Sequence, residues 1–524
     1  MDAHSTARAP VRVKGRILRY PSGTIPLSVE QTPMPAGNAA ILAVLGAYFG
    51  LMLAIGAWAR RSHDSAAGYF LAGRKLPYWV AAFSMNATGE SAWLILGLSG
   101  VAYLTGLQAL WVVAGEALGV AGAWLLVARR LNAASRDSDT ITVPDFLAER
   151  FRRQAVAIRG LAVAIILAMA CAYIAAQMLA TGKAFSVFLG WEYATGVWVG
   201  GLVTVAYTAF GGFKAVAYTD AVQAMLMLFA LLAVPLVGVS AIGGLDALRA
   251  GLAGADPALL LPWSTGDGTL VTLVVIASGL AVGLPFLGVP QLLVRFMAIR
   301  DSAEVPRAAT VSIVVVLLFD LGAVGTGLVG RVLFPGLDDA ETVMPELARA
   351  LFPPLVTGVL VVAVLSAVMS TVSSLLNLAS SAIVHDFYRQ LAPAREASRR
   401  EAAIGAWVTL ALGVAGCLVA LFGGGVIFSL VLFAWSGLGA AFGPVVLCVL
   451  HWRGTTGRGV VAGMAAGFAT SIGWVLLAKE ASHGLYEMVP AFIAGLLVTV
   501  VVSRLDRSQY PGGKHADGNP EPGL

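Results

Sequence analysis

Charge is scarce in this 524-residue chain: 34 lysines and arginines with 29 aspartates and glutamates make up only 12% of it. A water-soluble domain draws about a quarter of its residues from these four types to cover its surface. Water is therefore not the solvent for most of this chain. Cysteine is scarcer still. Cys171, Cys417 and Cys448 all fall in apolar runs, at spacings that suggest neither a disulfide nor a metal site. The six histidines, His4, His63, His385, His451, His483 and His515, lie in loops, run ends and tails and read as surface residues. No nucleophile–base set, phosphate loop or metal-ligand cluster supports an enzyme. The net charge of +5 is carried by basic residues at the ends of apolar runs, which points to membrane topology and away from a nucleic-acid partner. No short cleavable signal is expected ahead of the first apolar run.

What fills the chain instead is apolar: 58% of it is hydrophobic, and 60 residues are glycine. A bilayer core about 30 Å thick needs about 20 apolar residues per helical span. Runs of that kind recur at 38–58, 76–103, 107–128, 157–182, 190–211, 220–242, 269–298, 309–333, 351–383, 402–423, 425–450, 457–478 and 487–503. Barrel strands would be short and alternating, whereas these runs are long and apolar on all faces. The expected fold is an all-α membrane protein with about 13 transmembrane helices over 38–503, flanked by disordered tails at 1–37 and 504–524. Small residues such as glycine let membrane helices approach closely.

Basic residues alternate between loops. Arg60, Arg61, Arg74 and Lys75 follow the first run, and Arg129, Arg130, Arg136, Arg150, Arg152, Arg153 and Arg159 surround the third loop, while one opposite loop is acidic with Asp338, Asp339, Glu341 and Glu346. The positive-inside rule then puts the N-terminus outside and the C-terminus in the cytoplasm. Arg8, Arg12, Lys14, Arg16 and Arg19 run against that rule; a start of translation at Met34 would remove them.

Two runs carry polar or helix-breaking residues at their centres. Ser84–Ser91 places Asn, Thr, Gly, Glu and Ser inside the second run, and Gly279–Pro290 places Gly283, Pro285, Gly288 and Pro290 inside the seventh. Broken helices at matching places in two halves mark an inverted-repeat transporter with its site at the bilayer midplane. Simple proline kinks are the alternative, and the halves share no sequence identity that would decide. Glu90, Glu116 and Asp320 also fall within apolar runs, where an ionised group costs a few kcal/mol or more and function is the default reading. Buried structural partnership is the alternative for Glu116 and Asp320.

An ordered set of segments resembles one family. Gly73-Arg74-Lys75-Leu76, Ser91-Ala92-Trp93-Leu94 with Gly97-Leu98-Ser99-Gly100, and Thr142-Val143-Pro144-Asp145-Phe146 come first. Gly211-Gly212-Phe213-Lys214-Ala215-Val216 with Thr219-Asp220-Ala221-Val222-Gln223-Ala224, then Gly288-Val289-Pro290 with Arg295-Phe296-Met297-Ala298, follow. Val368-Met369-Ser370-Thr371, Ala434-Trp435-Ser436-Gly437 and Gly439-Ala440-Ala441-Phe442-Gly443-Pro444 complete the series. From about residue 40 to 480 the chain resembles the sodium:solute symporter family, and most of all its bacterial sodium/proline symporters. The resemblance implies the five-plus-five inverted repeat of the leucine-transporter fold. It also implies a multi-pass protein of the bacterial inner membrane that imports a small organic solute, proline or a related amino acid, on downhill Na⁺.

Sodium is a hard cation served by hydroxyls and by carbonyls freed at a helix break. The resemblance assigns the main sodium site to Ala87, Glu90, Ala367, Ser370 and Thr371; hydroxyls bonded only to their own preceding turn are the alternative. Ser370, Ser373 and Ser374 share one helix face. Asp220 with Ser373 and Ser374 is expected as a possible second sodium site. Helix capping by Thr219-Asp220 with Gln223 is the alternative.

The substrate is expected between the breaks, against Ser91, Ala92 and Trp93 on one side and Val282, Phe286 and Pro290 on the other. Free amides at a half-helix start would hold its carboxylate. Two departures bear on the solute. Gly89 stands where the proline symporters carry an acid, and Val282 and Phe286 stand where they carry tryptophan and tyrosine. A small carboxylate or another osmolyte is the alternative cargo, proton coupling through Glu90 the alternative drive, and a transporter-like sensor the alternative class. Arg295 reads as a gate or snorkelling residue.

Overall fold

A computed structural model describes residues 11–13, 16–18, 35–60, 65–263, 268–389, 394–422 and 427–508. The alternative start at Met34 and the polar stretch after Ser508 lie outside them. Inside the expected N-terminal tail, strands β1 (Val11–Val13) and β2 (Arg16–Leu18) pair antiparallel, with Arg12 opposite Ile17.

Everything else is helical, as the apolar runs require: without water, a backbone can satisfy its own N–H and C=O groups only within a helix or a closed barrel. The main helices are α1 (Pro35–Ala59), α2 (Tyr78–Ala92), α3 (Leu110–Gly122), α4 (Ala155–Leu189), α5 (Tyr193–Ile242), α6 (Thr269–Ala281) and α7 (Pro290–Ala298). They continue as α8 (Val305–Leu333), α9 (Pro354–Ser381), α10 (Ala394–Phe422), α11 (Ile427–His451), α12 (Gly457–Leu477) and α13 (Met488–Ser508). Among the described residues, 11 segments are long and apolar enough to cross a membrane. The chain is thus an all-α multi-span membrane protein.

α9 is the hub. Every residue from Leu360 to Ser381 is buried, and it packs on α5, α4, α1 and α2. α2 also packs on α5 and α8, which places the first interrupted span at the centre of the bundle. α11, α12 and α13 pack together beside it, and α11 reaches α4.

The interruptions have distinct causes. In the first, the helix runs unbroken through Glu90 and fails at one residue, Ser91, whose φ of 32° and ψ of −168° are strained for a side chain with a Cβ. The break is thus narrower than the polar stretch 84–91 suggested. A π-helical stretch, Trp93–Leu98, follows it directly. In the second, α6 stops at Ala281, a short 3₁₀ turn covers Leu284–Leu287, and α7 restarts at Pro290, where a missing N–H costs nothing. α5 breaks at Gly212, with φ 54° and ψ −163°. A Cβ there would meet the Tyr69 carbonyl at 2.7 Å, so only glycine fits. The far ends of the two interrupted spans are tied by backbone: Leu76 N–H donates to Ala298 O and Arg300 N–H to Leu76 O, both at 3.0 Å.

Candidate functional site

The first cluster joins α2 to α9. Ser370 Oγ donates to Ala87 O at 2.7 Å and lies 3.1 Å from Ala367 O. Thr371 Oγ1 lies 3.1 Å from Thr88 O and 3.3 Å from Ala367 O. Four of the five expected main-site residues therefore converge, 283 positions apart in the chain. These hydroxyls reach across to another helix as well as back along their own. Glu90 contributes differently. Its carbonyl accepts the Trp93 N–H across the break, and its carboxyl lies with Glu116 and Asp320.

The second cluster corrects two expectations. Asp220 does not cap a helix: it lies inside α5, eight residues past the break at Gly212, and is fully buried. Thr219 Oγ1 bonds its own helix at Ala215 O and Val216 O instead of serving as a cap. Arg295 does not snorkel. It is fully buried in α7, and its Nη2 sits 2.8 Å from Asp220 Oδ2, 2.7 Å from Thr88 Oγ1 and 2.5 Å from Ser374 Oγ. Arg295 Nε donates to Ser84 Oγ at 2.9 Å, and Ser84 Oγ in turn donates to Asp220 Oδ2 at 2.7 Å. The guanidinium thus stands among the oxygens expected to hold a second sodium ion. Ser373 takes no part in it; its Oγ donates to Ser370 O at 3.0 Å.

The third cluster surrounds the break at Ser91. Tyr173 donates to Ser91 Oγ at 3.2 Å, and Trp93 N–H donates to the same oxygen at 3.3 Å. Ala92 N–H donates to Gln177 Oε1 at 3.1 Å. The amides expected to be free are therefore capped by side chains, because unpaired buried N–H groups are costly. The Gln177 Nε2 group is buried without a partner. Phe286 lies over Gly89: a Cβ on Gly89 would sit 2.8 Å from the ring. Phe286 and Trp435 meet edge to face with centroids 5.2 Å apart, and Tyr173 and Trp435 at 6.4 Å. Val282 offers its carbonyl to Trp435 Nε1 at 3.2 Å. Pro290 lies in a narrow cavity with Gln291, Ser374, Asn377, Ser381 and Thr142, not among these aromatic contacts.

A fourth cluster overturns the surface reading of His385. The residue is buried, with Nε2 3.5 Å from Asp145 and Nδ1 3.5 Å from Glu401. Arg159 pairs with Asp145 at 2.7 Å. Burial alone would push the Asp145 carboxyl up, but its bonds to His385 and Arg159 prevail and hold it down at about 2.

Tyr173, Gln177, Trp435, Ser84 and Thr88 escaped the sequence reading of the site. Tyr173 and Gln177 are four apart on one face of α4, which marks them as neighbours but not as site residues.

Comparison with known proteins follows these clusters. The profile described as the sodium:solute symporter family matches residues 69–467. The chain is 38% identical over 462 residues to the high-affinity proline transporter PutP of Bacillus subtilis, covering 87% of this chain and 96% of that one. It is 34% identical to the osmoregulated proline transporter OpuE of the same organism, covering 90% and 96%. It is 33% identical to the sodium/proline symporter of Staphylococcus aureus, covering 88% and 92%. Among solved structures, a Na⁺-coupled sialic acid symporter superposes with a TM-score of 0.75 at 19% identity, over 89% of this chain and 98% of that one. That likeness speaks for the fold.

Proposed function

The chain belongs to the sodium:solute symporter family, and we propose that it imports proline or a closely related amino acid together with Na⁺ by alternating access. It is a sodium-coupled symporter of a small organic solute, a multi-pass protein of the bacterial plasma membrane, and not an enzyme. The proline assignment is supported by three relatives named for proline, each matched over nearly its whole length.

The observation that carries the mechanism is the convergence of Ser370 and Thr371 on the Ala87 and Thr88 carbonyls beside a broken helix. These oxygens are the donor set of the main sodium site. A hydroxyl that now donates to a carbonyl turns its lone pairs inward when sodium arrives, so the ion ties α2 to α9. Binding drives the cycle only through its different affinity for outward- and inward-open states. Uptake of labelled proline with sodium titrated at fixed pH tests this reading; uptake indifferent to sodium would refute it.

The solute site lies at Ser91, Ala92, Trp93, Val282 and Phe286, extended by Tyr173, Gln177 and Trp435. Gln177, already bound to the half-helix amide through Oε1, offers Nε2 to a carboxylate. The Phe286–Trp435–Tyr173 aromatic row suits an apolar ring. Pro290 lies apart from these residues, in the narrow cavity it shares with Gln291, Ser374 and Asn377. A second sodium ion at Asp220, Ser373 and Ser374 would require Arg295 to swing away first.

Thirteen spans follow if 78–137 and 193–242 each cross twice. At about 1.5 Å per residue each segment is more than twice the bilayer core, and α5 carries its break at Gly212. Interrupted second and seventh spans, tied end to end through Leu76 and Ala298, support the five-plus-five repeat.

A further inference from the structure

Glu90 on α2, Glu116 on α3 and Asp320 on α8 come from three separate helices, and one carboxylate oxygen of each lies within 4.8 Å of the other two. All three side chains are fully buried. No described residue outside the trio gives any of their six oxygens a hydrogen-bond partner, while Glu90 and Glu116 lie within hydrogen-bonding reach of each other. Among the described residues no lysine, arginine or histidine pairs with them: Arg295 is held by Asp220, Lys479 by Glu487, and Lys183 by Asp339 and Glu341.

The cluster is held rigidly. Gly115 and Gly119, on either side of Glu116, press against the backbone of Gly279 and Gly283, so α3 lacks space to turn its carboxyl away. Gly322, two residues past Asp320, is pressed against the Leu231 carbonyl in the same manner. Three buried carboxyls at this separation cannot all stay ionised and bare, because no basic side chain opposes their repulsion in a low dielectric, so the trio must hold protons or a cation. The chain nevertheless spends three acids here, in the part of the protein where acids are most costly.

We propose that Glu90, Glu116 and Asp320 form a further Na⁺ site, separate from Ser370–Thr371 and from Asp220. Three oxygens within 4.8 Å of one another share a centre no more than about 2.8 Å from each, close to the range hard cations keep to oxygen. A cation at that centre adds three attractions at about 2.8 Å, which outweigh the three repulsions across the longer oxygen–oxygen separations. Sodium is the cation this family couples to. Glu90 stands three residues beyond Ala87 and directly before the break at Ser91, so the triad adjoins the proposed main site and the solute site. The inference rests on the sodium coupling of the family but not on proline as cargo.

The test is equilibrium binding of ²²Na⁺ to the purified full-length protein, counted per polypeptide. Glu116→Gln with Asp320→Asn is expected to lower the count by one while ²²Na⁺ still binds at the other set. Ser370→Ala with Thr371→Ala is expected to remove a different ion and leave at least one bound. An unchanged count in the amide variant overturns the proposal and assigns the triad to protons or to structure. So does a count of zero in the Ser370/Thr371 variant. Should the amide variant fail to fold, Glu116→Leu with Asp320→Leu takes its place under the same criterion. Should that fail as well, Asp320→Asn alone is counted under the same criterion. If only the Ser370/Thr371 variant loses sodium, the main-site reading stands and the triad proposal falls; if only the triad variant does, the reverse holds.

Discussion

Replacing either member of the Asp220–Arg295 pair should destabilise the protein far more than replacing both. The two groups meet at 2.8 Å with side chains 0% and 1% exposed. With about 4 Å between charge centres and an effective dielectric of about 20, their attraction is about 4 kcal/mol. Removing one partner leaves the other charged and buried, at a cost of about 3–5 kcal/mol; removing both for apolar side chains of similar size is about neutral. Asp220→Leu and Arg295→Met should therefore each lose about 3–5 kcal/mol, and the double variant should recover most of that. In the double variant Ser84 loses both of its side-chain partners while Thr88 and Ser374 keep each other, which leaves a residual cost of about 1 kcal/mol at the Ser84 hydroxyl. Reversible unfolding in mixed micelles of denaturing and mild detergent gives the four free energies of the cycle. Additive losses, with coupling below about 1 kcal/mol, would mean that the pair does not hold α5 to α7, and the argument from burial would fail.

Other outcomes follow from single contacts. Ser370→Ala with Thr371→Ala should raise the half-saturating sodium concentration of uptake at least about tenfold, since each lost ligand to a cation is worth about 1.5–3 kcal/mol; normal sodium activation in an expressed variant would refute the main site. Gly89→Ala should push the Phe286 ring, 2.8 Å from the new Cβ, and cost about 1–3 kcal/mol through overpacking, read as a higher KM for the solute. Gly283→Ala should be worse, because its Cβ would meet the Gly115 backbone and not a movable ring; thermal unfolding reads it. Asp145, held at about 2 against an ordinary value of 3.8, contributes stability that is complete above about pH 4 and is lost as pH falls toward 2. Asp145→Asn should flatten the acid side of the stability profile by about 2 kcal/mol, and an unchanged acid limb would refute the Asp145–His385–Arg159 cluster.

The legible features of the site were those announced by local chemistry. Gly283, Pro285 and Pro290 cannot continue a helix, so the second break was visible where it occurs. The hydroxyls at 370 and 371 stood out in an apolar run, and the motifs around them led to Ala87 and Ala367, which the fold does bring together. The first break was legible only as a polar stretch; which residue would leave the helix depended on Tyr173 and Trp93 both bonding Ser91. Charged residues were misread wherever a neighbour from another helix decides their role. Arg295 looked like an end-of-span arginine, and the acid that buries it lies 75 residues away. His385 looked exposed because it lies at the end of an apolar run, yet Asp145 and Glu401 enclose it.

The amino-acid sequence by itself determined the solvent, the helical class, the break ahead of Pro290 and the family. Each of these follows from composition, from run length or from residues adjacent in the chain. Only the tertiary structure decided which buried charges meet. Asp220 found Arg295, and Glu90 found Glu116 and Asp320, because helices far apart in the chain cross at shared depths. A low dielectric then makes each such meeting strong, while nothing in the local sequence around either partner records it.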